Sequence, residues 1–347
     1  MSEPWTVFRL VKSTADVFSN AGVDAPRVEA EWLLSRVLSY NRTELYMNAQ
    51  RPVTEEERSA FRALVTRRLE GEPLAYILGE RGFWTLDLAV DPRVLIPRPE
   101  TEQLVELALR FTKRFDHQDW RIIDVGTGSG ALALALASEL PQAVVVATDL
   151  SPDALEVAKE NAERLDLRER VKFVCTDVLD AFAGRPASVD IVVSNPPYIG
   201  QSDPEVADDV RAHEPEMALF SGDDGLDIVR RLLPAARAVL RPGGLLLMEH
   251  GARQGDAVRQ LARADFATVS IQKDLSRHDR VLVALAAGES PWPAAKLPSQ
   301  GNADGLVAHE ENAEEEEEAP IDLRSPAERA LLEAEAMGLP VISLDDE

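Results

Sequence analysis

The residues best suited to chemistry in this chain are Asn195-Pro196-Pro197-Tyr198, which close the apolar run Val189–Ser194. Two successive prolines remove backbone donors and fix φ, so the chain leaves that run along a rigid path. A carboxamide ahead of them and an aromatic ring behind them frame a small slot. A planar NH2 group suits it: the Asn195 side-chain oxygen and the Pro196 carbonyl are two acceptors for its two hydrogens. Tyr198 can pack against the flat guest. Such bonds draw the nitrogen lone pair out of conjugation and aim it at an incoming methyl group. That is catalysis by positioning and electrostatics, with no strong base required. The plain alternative is a strand-ending turn, since Asn-Pro and Pro-Pro are turn dipeptides. The position directly after a buried strand, downstream of a glycine loop, favours the slot.

That loop reads Asp124-Val-Gly126-Thr127-Gly128-Ser129-Gly130. Glycines there let the backbone approach a ligand closely and bring a helix N-terminus against it. Gly126, Gly128 and Ala131 also satisfy the dinucleotide pattern, and Asp149 follows at the end of the next apolar run, where an acid can bind ribose hydroxyls. These features indicate an adenosine-type ligand and leave its identity open. Asp177, after a third run, could accept from an adenine amino group; a helix N-cap is the equal alternative. Cys175, the single cysteine, is expected as a buried filler. His117, His213, His250, His278 and His309 are scattered without metal-ligand spacing, and His250 is read as structural.

These residues need a frame, and the pattern from Trp120 onward supplies one. Apolar runs at Arg121–Val125, Ala143–Thr148, Val171–Cys175, Val189–Ser194 and Leu245–Glu249 alternate with helical stretches at Ala131–Leu140, Asp153–Leu165 and near Gly225–Leu240. A turn is expected at Arg241–Gly244. Such alternation predicts an α/β fold with a doubly wound, mostly parallel sheet, whose ligands sit beyond the carboxyl ends of the strands. Residues 1–85 instead read as a small helical bundle. Thr6–Asn20 places Val7, Leu10, Val11, Val17 and Phe18 on one face. Asp24 and Pro26 start a second helix with the stripe Val28, Trp32, Leu33, Val37 and Leu38. A short helix follows near Arg42–Met47, and Thr54 with Glu57 forms a capping box for Thr54–Leu69. Residues 86–118 make a linker, hairpin and leading helix, and 119–287 the sheet domain.

The chain has 347 residues and a net charge of −24, which argues against a general nucleic-acid or membrane-surface binder. One cysteine excludes a disulfide framework and a cysteine-rich zinc site. No secretory signal or long apolar run is found, so a cytoplasmic location is expected. From Gly288 on, 16 acids face 3 bases. This segment, with its prolines and the run Glu314–Glu318, is expected to be a disordered acidic tail, with helical composition at Ser325–Met337.

Taken together, the glycine loop and Asn195–Tyr198 resemble class I S-adenosylmethionine-dependent methyltransferases acting on amide or exocyclic amino nitrogens. More narrowly, the chain resembles the release factor glutamine methyltransferases, the HemK/PrmC family. The supporting segments are Gly71–Gly79, Phe83–Leu88, Val94–Glu102, Asn195–Ile199, His213–Gly225 and Arg241–Gly251. The resemblance spans roughly residues 6–284 and leaves the tail unexplained. It implies a Rossmann-like methyltransferase domain behind a helical docking domain. It implies that Gly126, Thr127, Gly128, Ser129 and Gly130 hold the methionine end of S-adenosylmethionine, Asp149 its ribose, and Asp177 and Val178 its adenine. Asn195, Pro196, Pro197 and Tyr198 would hold the glutamine amide of the Gly-Gly-Gln loop of class I peptide chain release factors. Pro97–Thr101 would line the cofactor pocket, and the bundle would grip the factor. A monomer acting on a protein, with no nucleic-acid or membrane partner, is expected.

Three other readings compete. An N6-adenine nucleic-acid methyltransferase would use a related slot but must grip phosphates, and no basic run with interleaved aromatics is present. An NAD-dependent oxidoreductase fits the glycine loop and Asp149 and leaves Asn195–Tyr198 unexplained. A non-enzymatic scaffold would not need the intact slot.

Overall fold

The computed structural model describes residues 4–293, less 186 and 204–207. Five helices come first: α1 (Val7–Asn20), α2 (Pro26–Leu38), α3 (Arg42–Met47), α4 (Glu55–Leu69) and α5 (Leu74–Leu78). Their ends follow the local chemistry. Thr6 accepts from the Arg9 amide to cap α1, and full capping boxes stand at Asn41/Glu44 and Thr54/Glu57. The start of α2 differs from expectation: Ala25 occupies the cap position without a side-chain bond, and Pro26 alone organises the first turn. The apolar stripes differ too. Ala30, Leu33 and Leu34 are buried at helical spacing, which turns Trp32 and Val28 outward, while on α1 Val17 is exposed. Phe18, Leu45, Phe61 and Ile77 complete the bundle core.

A hairpin follows, β1 (Glu80–Phe83) paired antiparallel with β2 (Leu86–Ala89). A 3-10 turn at Pro99–Thr101 then leads into α6 (Glu102–Thr112). The sheet domain contains β3 (Arg121–Val125), α7 (Ala131–Glu139), β4 (Val144–Asp149), α8 (Pro152–Arg164), β5 (Val171–Cys175), β6 (Val189–Ser194), α9 (Asp208–His213), α10 (Glu216–Leu219), α11 (Asp227–Val239), β7 (Leu240–Glu249), α12 (Gly255–Ala262), β8 (Thr268–Lys273) and β9 (Asp279–Leu285). The strand order is β5-β4-β3-β6-β7-β9-β8. The first five of these are parallel, and β9 runs antiparallel between β7 and β8. The five expected strands and three expected helices are all present. The turn expected at Arg241–Gly244 is instead part of one long strand, with a register irregularity opposite Val189 and Ile191.

This order reverses direction between β3 and β6, and the crevice beyond their carboxyl ends is where doubly wound sheets bind ligands. Burial fixes the register there. Every residue of β6 is buried, and Ala131–Ala137 of α7 are buried on all sides. Cys175 departs from expectation: it is exposed, because β5 is the edge strand.

The described fold also continues past the boundary expected at 287/288. Trp292 is 6% exposed and packs on Trp120 with ring centroids 4.9 Å apart, and the Asp116 amide donates to the Pro293 carbonyl. Residues 294–347, which include Glu314–Glu318 and Ser325–Met337, lie outside the described residues.

Candidate active site

The glycine loop leaves β3 with Gly126, Gly128 and Gly130 at φ of 73°, 54° and 87°. Only glycine adopts such angles without strain. The loop is pinned from beneath. Amides of Gly126 and Thr127 both donate to the Thr148 carbonyl, at 2.9 and 2.8 Å. Thr127 Oγ1 and the Ala133 amide donate to Asp124 Oδ2, at 2.6 and 3.1 Å. A Cβ built on Gly126 or Gly128 would meet nothing within 4 Å. The loop therefore presents its free side to open space.

Asp124 is fully buried, and its second oxygen, Oδ1, has no partner among the described residues. Burial pushes its carboxyl up to about 7. Asp149, at the end of β4, accepts from the Gly128 amide at 2.9 Å and from the Ser151 amide at 2.9 Å. Its carboxyl is also raised by burial, partly offset by those donors. An unpartnered buried carboxylate oxygen, an open glycine face and a second carboxylate on the next strand fit a ligand with an ammonium and a ribose diol. These are features of the amino-acid and nucleoside ends of S-adenosylmethionine.

Asp177 and Val178 lie farther along the same edge. Asp177 is not the helix cap considered above. Leu179 stands at the cap of the short 3-10 turn Asp180–Phe182 without a side-chain bond, Thr176 Oγ1 accepts from the Ala181 amide at 3.0 Å, and Asp177 Oδ2 pairs with Arg231 at 2.7 Å. Val178 sits at φ 46°, a strained angle for a β-branched residue, and packs on the core.

Asn195–Tyr198 follow β6 directly. Ladder pairing ends at Ser194, so the Pro196 carbonyl lies past the sheet. Ser194 Oγ donates to the Val125 carbonyl at 2.7 Å, which fixes this exit beside the start of the glycine loop. The segment after it is held in turn. Ile199 exchanges bonds with Leu219 and Ser221, and Gln254 Nε2 donates to the Tyr198 carbonyl at 2.9 Å. Gly225 must be glycine, because a Cβ there would overlap the Tyr198 carbonyl. The segment His213–Gly225 is thus the brace of the slot.

Two residues that the sequence reading did not place in the slot complete it. Asn195 Nδ2 donates to Thr101 Oγ1 at 3.0 Å, Thr101 Oγ1 donates to Glu249 Oε2 at 2.7 Å, and Tyr198 Oη donates to Glu249 Oε1 at 3.1 Å. Thr101 and Glu249 are both buried. Burial raises the Glu249 carboxyl, and burial beside that carboxylate raises the Tyr198 hydroxyl. Thr101 therefore lies against the slot, at the end of the stretch Pro97–Thr101 expected at the cofactor pocket. The position of Glu249 at the carboxyl end of a buried strand was a usable signal for it. His250 is buried and structural in its contacts, with Nδ1 against the Gly251 carbonyl and burial lowering its pKa.

One further tie joins the front of the chain to this site. Glu214 Oε2 accepts from the Ile96 amide at 3.1 Å and Oε1 from Arg98 at 2.5 Å. Among the described residues, no group of three or more His, Cys, Asp or Glu could hold a metal ion.

The chain is similar to proteins of one family over most of its length. Residues 9–79 match the PrmC N-terminal domain family, and residues 116–290 match a methyltransferase domain family. A release factor glutamine methyltransferase of Xylella fastidiosa (strain 9a5c) is 47% identical over 264 residues, covering 76% of this chain and 94% of that protein. The protein of that name from Rhodopirellula baltica is 41% identical over 284 residues, covering 80% of this chain and 96% of its own. Among solved structures, a release factor-specific protein-(glutamine-N5) methyltransferase from Alicyclobacillus acidocaldarius is 34% identical, with a TM-score of 0.37, covering 58% of this chain and 100% of that one.

Proposed function

The chain belongs to the release factor glutamine methyltransferase family, and we propose that its Asn195–Tyr198 slot holds the glutamine amide of the Gly-Gly-Gln loop of a class I release factor. It is an S-adenosylmethionine-dependent enzyme that methylates the side-chain amide of a release factor glutamine. One observation carries the assignment of the slot: it leaves β6 beside the glycine loop of β3, the two exits tied by Ser194 Oγ on the Val125 carbonyl.

When bound, S-adenosylmethionine supplies a methyl group on a positively charged sulfur, and the thioether left behind is neutral. Gly126, Thr127, Gly128, Ser129 and Gly130 would cradle its methionine end, with the Asp124 Oδ1 lone pairs facing the ammonium. Asp149 would take the ribose and Asp177 with Val178 the adenine. The Asn195 side-chain oxygen and the Pro196 carbonyl would each accept one N–H of the glutamine amide. Bonds to both hydrogens would favour the pyramidal nitrogen and aim its lone pair at the methyl group, so that the N–C bond could form as the methyl leaves the sulfur. One of the two N–H protons would then pass to solvent water, giving the neutral N-methyl amide. Tyr198, its ring packed near Gly251 and its hydroxyl fixed on Glu249, would form the wall beside the amide.

The bundle, residues 1–85, would dock the body of the factor, and one chain would serve one factor. No helix among the described residues is long and apolar enough to cross a membrane; a cytoplasmic site of action, where release factors work, completes the proposal. The test is methyl transfer from radiolabelled S-adenosylmethionine to purified release factor, to the factor with its Gly-Gly-Gln glutamine changed to alanine, and to a mixed DNA and RNA pool. Label on the intact factor alone is expected. Label on the changed factor or on the nucleic acid overturns the assignment of the guest.

A further inference from the structure

The orientation of the Asn195 amide decides whether the slot works, because only its oxygen can accept from a glutamine N–H. An amide can present either end, and nothing within Asn195 itself selects one. Selection comes from the buried chain of hydrogen bonds behind it. In this arrangement Glu249 accepts at both of its oxygens. Tyr198 Oη and Thr101 Oγ1 both donate to it, at 3.1 and 2.7 Å. A hydroxyl has one proton, so Thr101 Oγ1, having given its own to Glu249, has only lone pairs left to offer. Asn195 must then turn its NH2 toward Thr101, as the 3.0 Å contact records. The amide oxygen is left pointing away, free for the guest.

We infer that Thr101 and Glu249 are positioning residues which, by fixing the direction of this hydrogen-bond chain, hold the Asn195 oxygen toward the substrate nitrogen. The inference rests on the reading that Asn195 receives the glutamine amide. Neither residue touches the reacting atoms, and they act only through Asn195 and Tyr198.

The surroundings of Glu249 suit a fixed acceptor. Both its oxygens are engaged; burial, with a smaller push from Glu100, raises its carboxyl, and the Thr101 hydrogen bond, the charge of Arg280 and the Tyr198 hydrogen bond work against that rise. Arg280 is itself held by Asp274 Oδ2 at 3.3 Å. The device also ties three segments far apart in sequence: Thr101 leads into α6, Asn195 follows β6 and Glu249 ends β7. Loss of the direction does not require loss of the fold. Replacing Thr101 by valine keeps the shape and removes both the lone pairs that hold the amide nitrogen and the proton given to Glu249. Serine restores both.

The test uses the full-length protein with release factor and S-adenosylmethionine, comparing wild type, Thr101→Val, Thr101→Ser and Asn195→Ala. Cofactor Kd is read by calorimetry, kcat and KM by label transfer. For Thr101→Val, kcat is expected to fall roughly ten- to a hundredfold, the scale of a misplaced reacting group, with cofactor Kd unchanged. Thr101→Ser is expected to recover most of the loss. If Asn195→Ala loses turnover while Thr101→Val keeps it within a few-fold, the positioning inference is overturned and the slot stands. If Asn195→Ala itself keeps near-normal turnover, the reading of the slot falls and the inference with it. Equal losses in valine and serine, with weakened cofactor binding, would mean that Thr101 only supports the fold, and that too overturns the inference.

Discussion

Asn161 reaches from α8 to the glycine loop and holds Ser129 by its backbone: Asn161 Nδ2 donates to the Ser129 carbonyl at 2.9 Å. The same nitrogen donates to the Ala89 carbonyl at 3.0 Å, and Oδ1 accepts from the Ala89 amide at 2.6 Å. One fully buried carboxamide thus ties the hairpin to the cofactor loop. Asn161→Ala would strand several polar groups at once, and each buried orphan costs about 1–3 kcal/mol. A drop in stability of roughly 2–4 kcal/mol is expected, together with a weaker S-adenosylmethionine Kd. Denaturant unfolding and calorimetry on the same variant check both. A loss of stability with unchanged Kd would mean that the loop does not depend on this tie.

The contacts of Asn161, Thr101 and Glu249 share a reason for having been unreadable in the sequence. Their bonds span long stretches of chain, 148 positions between Thr101 and Glu249, 94 between Asn195 and Thr101, and 72 between Ala89 and Asn161. Periodicity and local motifs carry no information at that range. Asn195–Tyr198 and Gly126–Gly130 were legible for the opposite reason. Their residue types are selected by the backbone itself, through two prolines or three positive φ angles, so the constraint is written in consecutive positions. The parallel strands were legible as continuous apolar runs. The antiparallel edge was not: β8 is half-buried along most of its length and carries only Val269 and Ile271 between polar residues, so it lacks the continuous apolar run that marked the parallel strands.

Composition misled at one place. The prolines and acids after Gly288 conceal Trp292, whose ring packs against Trp120, Phe115 and Phe111 at centroid distances of 4.9, 5.2 and 5.9 Å. Truncating a buried Trp to Ala costs about 3–5 kcal/mol. A chain ending at Pro293 keeps these contacts and is expected to melt near the full-length temperature. A chain ending at Ala287 loses them and should melt several degrees lower, as should full-length Trp292→Ala. Thermal unfolding of the three decides the matter. Equal melting of the two truncated chains would remove Trp292 from the folding unit.

Asp124 should make stability and cofactor affinity depend on pH in opposite directions. Its native carboxyl lies near 7, against 3.8 for an unperturbed aspartate. Between those values the unfolded chain has released a proton that the native state keeps. Stability due to this group is therefore full below about pH 4 and is lost as pH rises toward 7, by roughly 4 kcal/mol at 1.36 kcal/mol per unit. Asp124→Asn removes the titration, so the difference between wild-type and variant unfolding free energies should show this slope. Binding an ammonium beside Oδ1 favours the ionised form, so wild-type cofactor affinity should strengthen as pH rises through about 7. A flat difference curve between pH 4 and 7 would show that Asp124 ionises normally.

The glycines of the loop should separate into two kinds. Gly128 and Gly130 both hold positive φ, so alanine at either carries a backbone penalty of about 1–2 kcal/mol. Their surroundings differ. A methyl group on Gly128 meets nothing within 4 Å and projects into the space the cofactor would need. On Gly130 it lies 2.9 Å from Leu134 Cδ1 and 3.3 Å from Ala158 Cβ, and Leu134 is fully buried with little room to move. Gly128→Ala should therefore lose cofactor affinity with a modest fall in stability. Gly130→Ala should add an overpacking penalty of about 1–3 kcal/mol to the backbone strain and melt well below Gly128→Ala. Side-by-side calorimetry and thermal unfolding test the division. If Gly128→Ala binds S-adenosylmethionine as tightly as wild type, the open face of the loop is not where the cofactor sits.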